Sequence, residues 1–306
     1  MKRALLIAAA LTLAGCDAEV GGVSESGGSA PSSEAVAVPS SLPAYFDCIR
    51  ERGFTAISAH RGGPAPGFAE NAIPTFENTL RVAPGAFLEV DVSQTADGVL
   101  VLMHDDRADR TTTGTGAIAE LDMAQLLTFQ LEDERGRRVD ARVPTLAEAL
   151  DWADGRTVLE LDIKRGVAYE DVIAAVSRAN AMSRVVFVTY SVDGAARLAR
   201  LAPQAMIYTT ISDARELDTL DRRGVDLTRV VAWVGTDTPQ AALVEALAAR
   251  GVETRFGMFG EGRDYANAIR ANAQIVAVDD AEEAGRDLDA ADGEEGQAAL
   301  QCATAG

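Results

Sequence analysis

The chain has only two histidines in 306 residues. Each closes an apolar run, His60 in "ISAHRGG" and His104 in "GVLVLMHDD". Imidazole takes and gives protons near neutral pH, so two scarce histidines at two run ends suit a reaction that needs both a base and an acid. Acids recur at alternate positions in two further runs: Glu89 and Asp91 in "FLEVDV", and Glu160 and Asp162 in "VLELDIK", where Lys164 follows on the same face. Side chains two apart on a strand point the same way, so each acidic pair would project together. Carboxylates inside an apolar strand are costly to bury unpaired, and a cation would relieve that cost. A lone histidine at a strand end is commonly structural, but two flanking paired carboxylates point to catalysis.

Positioning these groups requires strands that end in one place. Past residue 54, short apolar runs alternate with helical patterns such as "PTLAEALDWA" and "TPQAALVEALAARG", the arrangement of a parallel sheet. The runs are 54–59, 86–92, 99–103, 157–163, 185–190, 206–211, 229–234, 252–257 and 275–279. Between the second and third lies "SQTADG", too short for a parallel crossover, so residues 86–103 should form a hairpin. Eight strands then remain. That count, with a domain of about 260 residues, favours a (β/α)8 TIM barrel over an open doubly wound sheet. In such a barrel the catalytic groups gather at the C-terminal strand ends, where His60, Glu89, Asp91 and Asp162 fall and to which the hairpin returns His104.

The segments "HRGG", "ENA" with Phe76 six residues after Glu70, "EVD", "MHDD", "DRTTTGTG", "PTLAEAL", "LDIK" and "VAVDD" occur in this order over residues 57–280. Together they resemble the glycerophosphodiester phosphodiesterase family. The resemblance implies a TIM barrel that uses a divalent metal to hydrolyse glycerophosphodiesters to an alcohol and glycerol phosphate, a phosphoric diester hydrolase. His60 and His104 match the family's general base and acid, and Glu89 and Asp91 its metal-binding Glu-x-Asp. Asp162 stands where the family usually has a Glu, one methylene longer, with Glu160 nearby to compensate. All-oxygen ligation suits Mg²⁺ or Ca²⁺ better than zinc. Arg61 and Lys164 would hold the phosphate oxygens, Arg61 having Asp91 as an alternative ion-pair partner.

Glu70 and Asn71 match the family's Glu-Asn-Thr, with Ala72 replacing the Thr, and would sit behind the reacting groups. A second "ENT" at 77–79 has the wrong spacing from His60. The family's Trp and Asn after the seventh barrel strand are replaced by Phe256, Met258 and Phe259, and its Ser-Phe by Thr189-Tyr190. These departures leave the substrate as a glycerophosphodiester or a lysophospholipid. Residues 105–142 form an insertion over the mouth, a possible lid. Trp152 and Trp233 read as core residues. The rivals are a phospholipase D-like or cyclising activity on the same barrel, and a two-lobed solute-binding lipoprotein.

The composition, 47% apolar and 25% charged, is that of a globular domain. A net charge of −19 argues against nucleic-acid binding. Nine acids accompany Arg286 between residues 279 and 295, a solvated tail face that resembles a calcium loop only loosely. At the other end, Lys2 and Arg3 precede an apolar stretch too short to span a bilayer, and "LAGC" resembles a bacterial lipobox. Residues 1–16 thus read as a signal segment with Cys16 as the lipidated residue, and 17–42, rich in Ser, Gly, Pro and Ala, as a linker with a reach of about 28 Å. Residues 43–306 would be the barrel domain, held in the cell envelope by a lipid anchor in a membrane facing the periplasm. Cys48 and Cys302 flank the strand region, and barrel closure brings its ends together, so a disulfide between them is expected.

Overall fold

The computed structural model describes residues 38–294 and 297–304. The signal segment with Cys16, and the linker as far as residue 37, lie outside the described residues. The linker's far boundary needs correcting, because a helix already begins at Leu42 and runs to Arg52. Ser41 caps it by accepting the Ala44 amide hydrogen, and Pro43 occupies the first turn, where its missing N–H costs nothing. Among the described residues no helix is long and apolar enough to cross a membrane.

All nine apolar runs form strands: β1 (Ala56–Ala59), β2 (Phe87–Gln94), β3 (Leu100–Leu102), β4 (Leu159–Ile163), β5 (Val185–Val188), β6 (Met206–Thr210), β7 (Val230–Trp233), β8 (Glu253–Met258) and β9 (Ile275–Val278). β2 and β3 are antiparallel, with Val92 opposite Leu102, which is the expected hairpin. The other eight are parallel. They close on themselves because β1 pairs with β9 on one side and with β2 on the other. This is a (β/α)8 barrel, so neither the open sheet nor a two-lobed binding protein describes the chain.

The strands are covered on both faces, which is why they read as nearly continuous apolar runs. Outward residues such as Ile57, Leu88, Val90, Leu161, Phe187 and Val276 pack against the surrounding helices. Inward residues change character along the barrel. At the floor, Ala56, Phe87, Val186, Met206, Val231 and Ile275 meet Tyr45, Phe46 and Ile49 of the first helix, which plugs the N-terminal end. Higher up the interior turns polar, with Ser58, Glu160, Tyr208 and Arg255, all buried. Above these stand Glu89, Asp91 and Asp162.

The 105–142 insertion has its own small core of Ala108, Ile118, Leu126 and Leu131, continuous with Val101 and Met103 of the hairpin. It is a packed layer anchored to β3. The acidic stretch after Asp279 is not a calcium loop: Asp280 caps a helix, Ala281–Asp292, whose Ala284 and Leu288 are buried, and Gly293 ends it in the left-handed conformation. The acidic side chains occupy the solvated side of that helix, and only one face of it is apolar.

Cys48, on the first helix, and Cys302, in the buried turn Ala298–Cys302, are joined by a disulfide with a Cα–Cα distance of 5.7 Å. The bond spans a sequence separation of 254 and fastens the floor plug to the Ala298–Cys302 turn. The chain-entropy model assigns a loop this long up to about 5 kcal/mol. A Cys48→Ser variant is expected to unfold at lower guanidinium concentration than the oxidised parent, by about 2–5 kcal/mol, and to match the parent treated with reductant. Identical midpoints for oxidised parent and variant would show that the bond contributes nothing.

Candidate active site

The scarce His60 sits at the end of β1, where the chain turns sharply. Arg61 has φ 52°, and Gly62 and Gly63 follow at φ 79° and 81°. Both glycines are required: a Cβ on Gly62 would lie 2.2 Å from the Phe76 ring, and one on Gly63 would lie 2.6 Å from Thr79 Oγ1. Thr79 locks the turn by donating to the Gly62 carbonyl. The strained turn aims the Arg61 backbone N–H at Glu89 Oε2, 2.8 Å away.

Glu89, Asp91 and Asp162 each offer an oxygen, and these oxygens lie within 4.8 Å of one another. Burial foremost, then the neighbouring Asp91 and Asp162 charges, pushes the Glu89 carboxyl well above its ordinary value. Asn71, held at φ 57°, grips Asp91 twice: its Nδ2 donates to Asp91 Oδ2 at 2.6 Å and its Oδ1 accepts the Asp91 amide at 3.0 Å. Lys164 Nζ lies 2.6 Å from Asp91 Oδ1 and 2.7 Å from Asp162 Oδ2. Although burial opposes it, those two charges raise the Lys164 pKa. Tyr190 also donates to Asp162 Oδ2, at 2.6 Å, whereas Asp162 Oδ1 is buried with no partner. An orphaned carboxylate oxygen beside two other carboxylates fits a divalent cation with hard oxygen ligands, and the shorter Asp162 side chain still reaches the group.

Glu160 is not part of this set. Although β2 and β4 place it beside Glu89 in register, its carboxylate turns away to accept from Ser58 Oγ at 2.6 Å, Tyr208 Oη at 3.0 Å and Arg255 Nη2 at 2.8 Å. It is committed to the layer below and cannot compensate for Asp162. Arg61 and Lys164 are likewise engaged, Arg61 Nη1 with Glu70 at 2.9 Å and Lys164 as described, although the buried Arg61 Nε makes no hydrogen bond. Arg61 Nε and Asp91 Oδ2 are 4.0 Å apart, so its firmer ion pair is with Glu70 rather than Asp91.

Each histidine is held at Nδ1 by a carboxylate: His60 by Asp279 at 2.8 Å and His104 by Asp105 at 2.7 Å. Burial would raise the Asp279 carboxyl, but His60 and the Gly260 amide bring it below its ordinary value. Arg110 foremost, then His104, holds Asp105 far lower still. An ionised carboxylate only accepts, so Nδ1 donates in both rings and each Nε2 is left for chemistry. Phe259 lies against the His60 ring, centroids 4.7 Å apart. The backbone places His104 near the cluster, since the Met103 amide donates to the Asp91 carbonyl at 2.9 Å.

His60, Glu89 and Asp162 line one cavity of about 150 Å³, whose far wall is Tyr190, Tyr208, Trp233, Arg255 and Phe259. Trp233 is therefore a wall of the site rather than a core residue. Gly257 makes the wall possible, because a Cβ there would lie 2.5 Å from Phe259 and 2.7 Å from Trp233. A larger groove of about 580 Å³ runs outside between Pro64, Asp133 and Glu283. It borders the site at Gly63, Thr79, Gly260 and Asp279.

The chain matches the glycerophosphoryl diester phosphodiesterase family over residues 60–279. It belongs to that family. Among curated relatives it is 33% identical over 156 residues to the uncharacterised protein YqiK of Bacillus subtilis, covering 49% of this chain and 63% of the relative. It is 28% identical over 160 residues to the glycerophosphodiester phosphodiesterase of Caldanaerobacter subterraneus, covering 50% and 65%. The chain thus spans somewhat less than two thirds of the length of these two relatives. The crystal structure of a glycerophosphoryl diester phosphodiesterase from Parabacteroides distasonis superposes with a TM-score of 0.77 at 27% identity, over 83% of this chain and 94% of that one.

Within this glycerophosphoryl diester phosphodiesterase fold, five side chains around the site carried no individual role in the sequence reading. Asp279 and Asp105 were visible in the quoted "VAVDD" and "MHDD", and Arg110 in "DRTTTGTG". Arg255 alternates with Glu253 in "ETRFG", an inward-facing charge pattern within a strand. Tyr190 was marked only as part of the Thr189-Tyr190 departure at a strand end, with no partner implied. Glu70, buried, accepts from Arg61 and twice from Arg110. Burial pushes its carboxyl up, but the two guanidiniums more than offset this, so it titrates below its ordinary value. A carboxyl lowered by folding contributes stability above its unfolded pKa and loses it as pH falls. The melting-temperature gap between parent and Glu70→Gln is therefore expected to narrow from about pH 6 to about pH 3. A gap that widens on acidification would contradict this assignment.

Proposed function

We propose that the chain hydrolyses glycerophosphodiesters to an alcohol and a glycerol phosphate, with a divalent cation, Mg²⁺ or Ca²⁺, held by Glu89, Asp91 and Asp162. The observation that supports this reading best is the pairing of two carboxylate-held imidazoles with a buried three-carboxylate cluster. The reaction makes a P–O bond to a water oxygen and breaks the P–O bond to the alcohol. One histidine Nε2 takes the proton from water while the other, protonated, gives its proton to the departing alkoxide. The bound cation would supply charge stabilisation for the phosphoryl oxygens. Arg61 and Lys164 would bring positive charge to the phosphate oxygens, each held in place by carboxylates, Arg61 by Glu70 and Lys164 by Asp91 and Asp162. Trp233 and Phe259 would confine one arm of the diester against His60. The names of the Caldanaerobacter and Parabacteroides relatives agree with this activity.

His60→Ala and His104→Ala are each expected to lower kcat by about 10²–10⁴-fold on a panel of glycerophosphodiesters while melting like the parent. Oxygen-labelled water should place its label in the glycerol phosphate; an unlabelled cyclic phosphate would instead indicate attack by the substrate's own hydroxyl. Near-parental kcat in both variants would end the two-histidine reading.

Chelator is expected to lower the parent's melting temperature, because a ligand bound only by the folded state stabilises it by mass action. Glu89→Gln should remove most of that response. Equal responses in parent and variant would place the metal elsewhere.

A further inference from the structure

We propose that Arg110, in the Ala108–Arg110 turn of the insertion, is a positioning residue that orients His104 through Asp105 and Arg61 through Glu70. The kinetic part of this inference rests on the hydrolase reading above. The geometric part does not.

Arg110 Nε donates to Asp105 Oδ2 at 2.7 Å and Nη2 to Asp105 Oδ1 at 2.9 Å. On its other edge, Nη2 donates to Glu70 Oε1 at 2.8 Å and Nη1 to Glu70 Oε2 at 2.9 Å. These four contacts engage all three nitrogens of a planar cation that has five N–H donors. A guanidinium committed in this way has little left for a substrate and acts on its neighbours. Both carboxylates have a second partner that belongs to the site. Asp105 Oδ1 holds His104 Nδ1 at 2.7 Å, and Glu70 Oε2 holds Arg61 Nη1 at 2.9 Å. One unbroken chain, His104–Asp105–Arg110–Glu70–Arg61, thus links the insertion to the turn after β1.

The turn that carries Arg110 is itself fixed. The Ala108 amide donates to the Gly116 carbonyl at 3.0 Å, Thr112 Oγ1 donates to the Ala108 carbonyl at 2.9 Å, and Ala108 is fully buried. Arg110 is therefore delivered from a packed layer. Without it, Asp105, with a side chain 30% exposed, would lose the fork that sets its plane. Buried Glu70 would be left to Arg61 alone, drawing that guanidinium toward itself. Lysine cannot substitute: one ammonium nitrogen can touch two carboxylates, as Lys164 does, but cannot give each of them the two-point fork that sets its plane.

The test uses the full chain, with Arg110→Lys, Arg110→Met and Asp105→Asn, each checked for a parental melting transition. Each Arg110 variant is expected to lose about 10–100-fold in kcat, the usual cost of losing a group that orients a reacting side chain, with KM little changed. Combining Arg110→Met with Asp105→Asn should cost less than the product of the two single losses, because both act on His104. The chain's two histidines allow a second readout independent of turnover. Nitrogen NMR of labelled imidazoles should show His104 as the Nδ1–H tautomer in the parent and as a tautomer mixture in Arg110→Lys, with His60 unchanged. Parental kcat in Arg110→Lys, strictly multiplicative losses, or an undisturbed His104 tautomer would each overturn the proposal. If the parent turned over no diester, the hydrolase reading would fail while the imidazole signal still decided Arg110's role.

Discussion

Mutual repulsion among Glu89, Asp91 and Asp162, three buried carboxylates within reach of one another, organises the mouth of the barrel. Each is met by a compensating group from a different element: a backbone N–H from Arg61, a two-sided clasp from Asn71, an ammonium from Lys164 and a hydroxyl from Tyr190. The unusual backbone follows from this need. Arg61 and Asn71 both adopt positive φ, uncommon for residues with a Cβ and tolerated where the surroundings over-determine it. The local strain of two loops is offset by the stabilisation of charge that the strands alone could not hold.

A second charged layer lies below. Arg255 and Glu160 form a buried pair, and the Arg255 guanidinium lies 4.8 Å from the Tyr208 ring centroid and 5.0 Å from that of Trp233. Such a pair adds little net stability after desolvation. Its effect here is electrostatic, since Arg255 helps hold Glu89 against the upward push of burial. Because Glu160 is spent on this pair, the upper cluster has three carboxylates rather than four. Beneath both layers the plug helix and its disulfide close the barrel, with one ion pair, Arg50 to buried Glu253, at the floor.

The two histidines are held by elements far apart in the chain. Asp279 follows the last strand and Asp105 opens the insertion, yet each fixes a histidine tautomer. The insertion is consequently part of the site's frame: through Arg110 and Glu70 it is bonded to the turn that begins with His60.

Much of this could be read from the chain. The period-2 placement of Glu89, Asp91, Glu160 and Asp162, the six-residue hairpin link and the count of apolar runs depend on local geometry, so strand number, closure and the metal-site candidates were all legible. Register alone could not show that Glu160 turns down to Arg255 while Glu89 turns up, because side chains on one face share a direction but not a partner. Nor could it reveal that Arg61 pairs with Glu70 and Lys164 with Asp91 and Asp162, that Trp233 faces the cavity, or that the acidic stretch after Asp279 coils into a helix. Residue types and their spacing determined which groups reach the barrel mouth. Which of them pair there was decided only by the closed tertiary structure, because burial makes every unpaired charge costly and the partners come from distant segments.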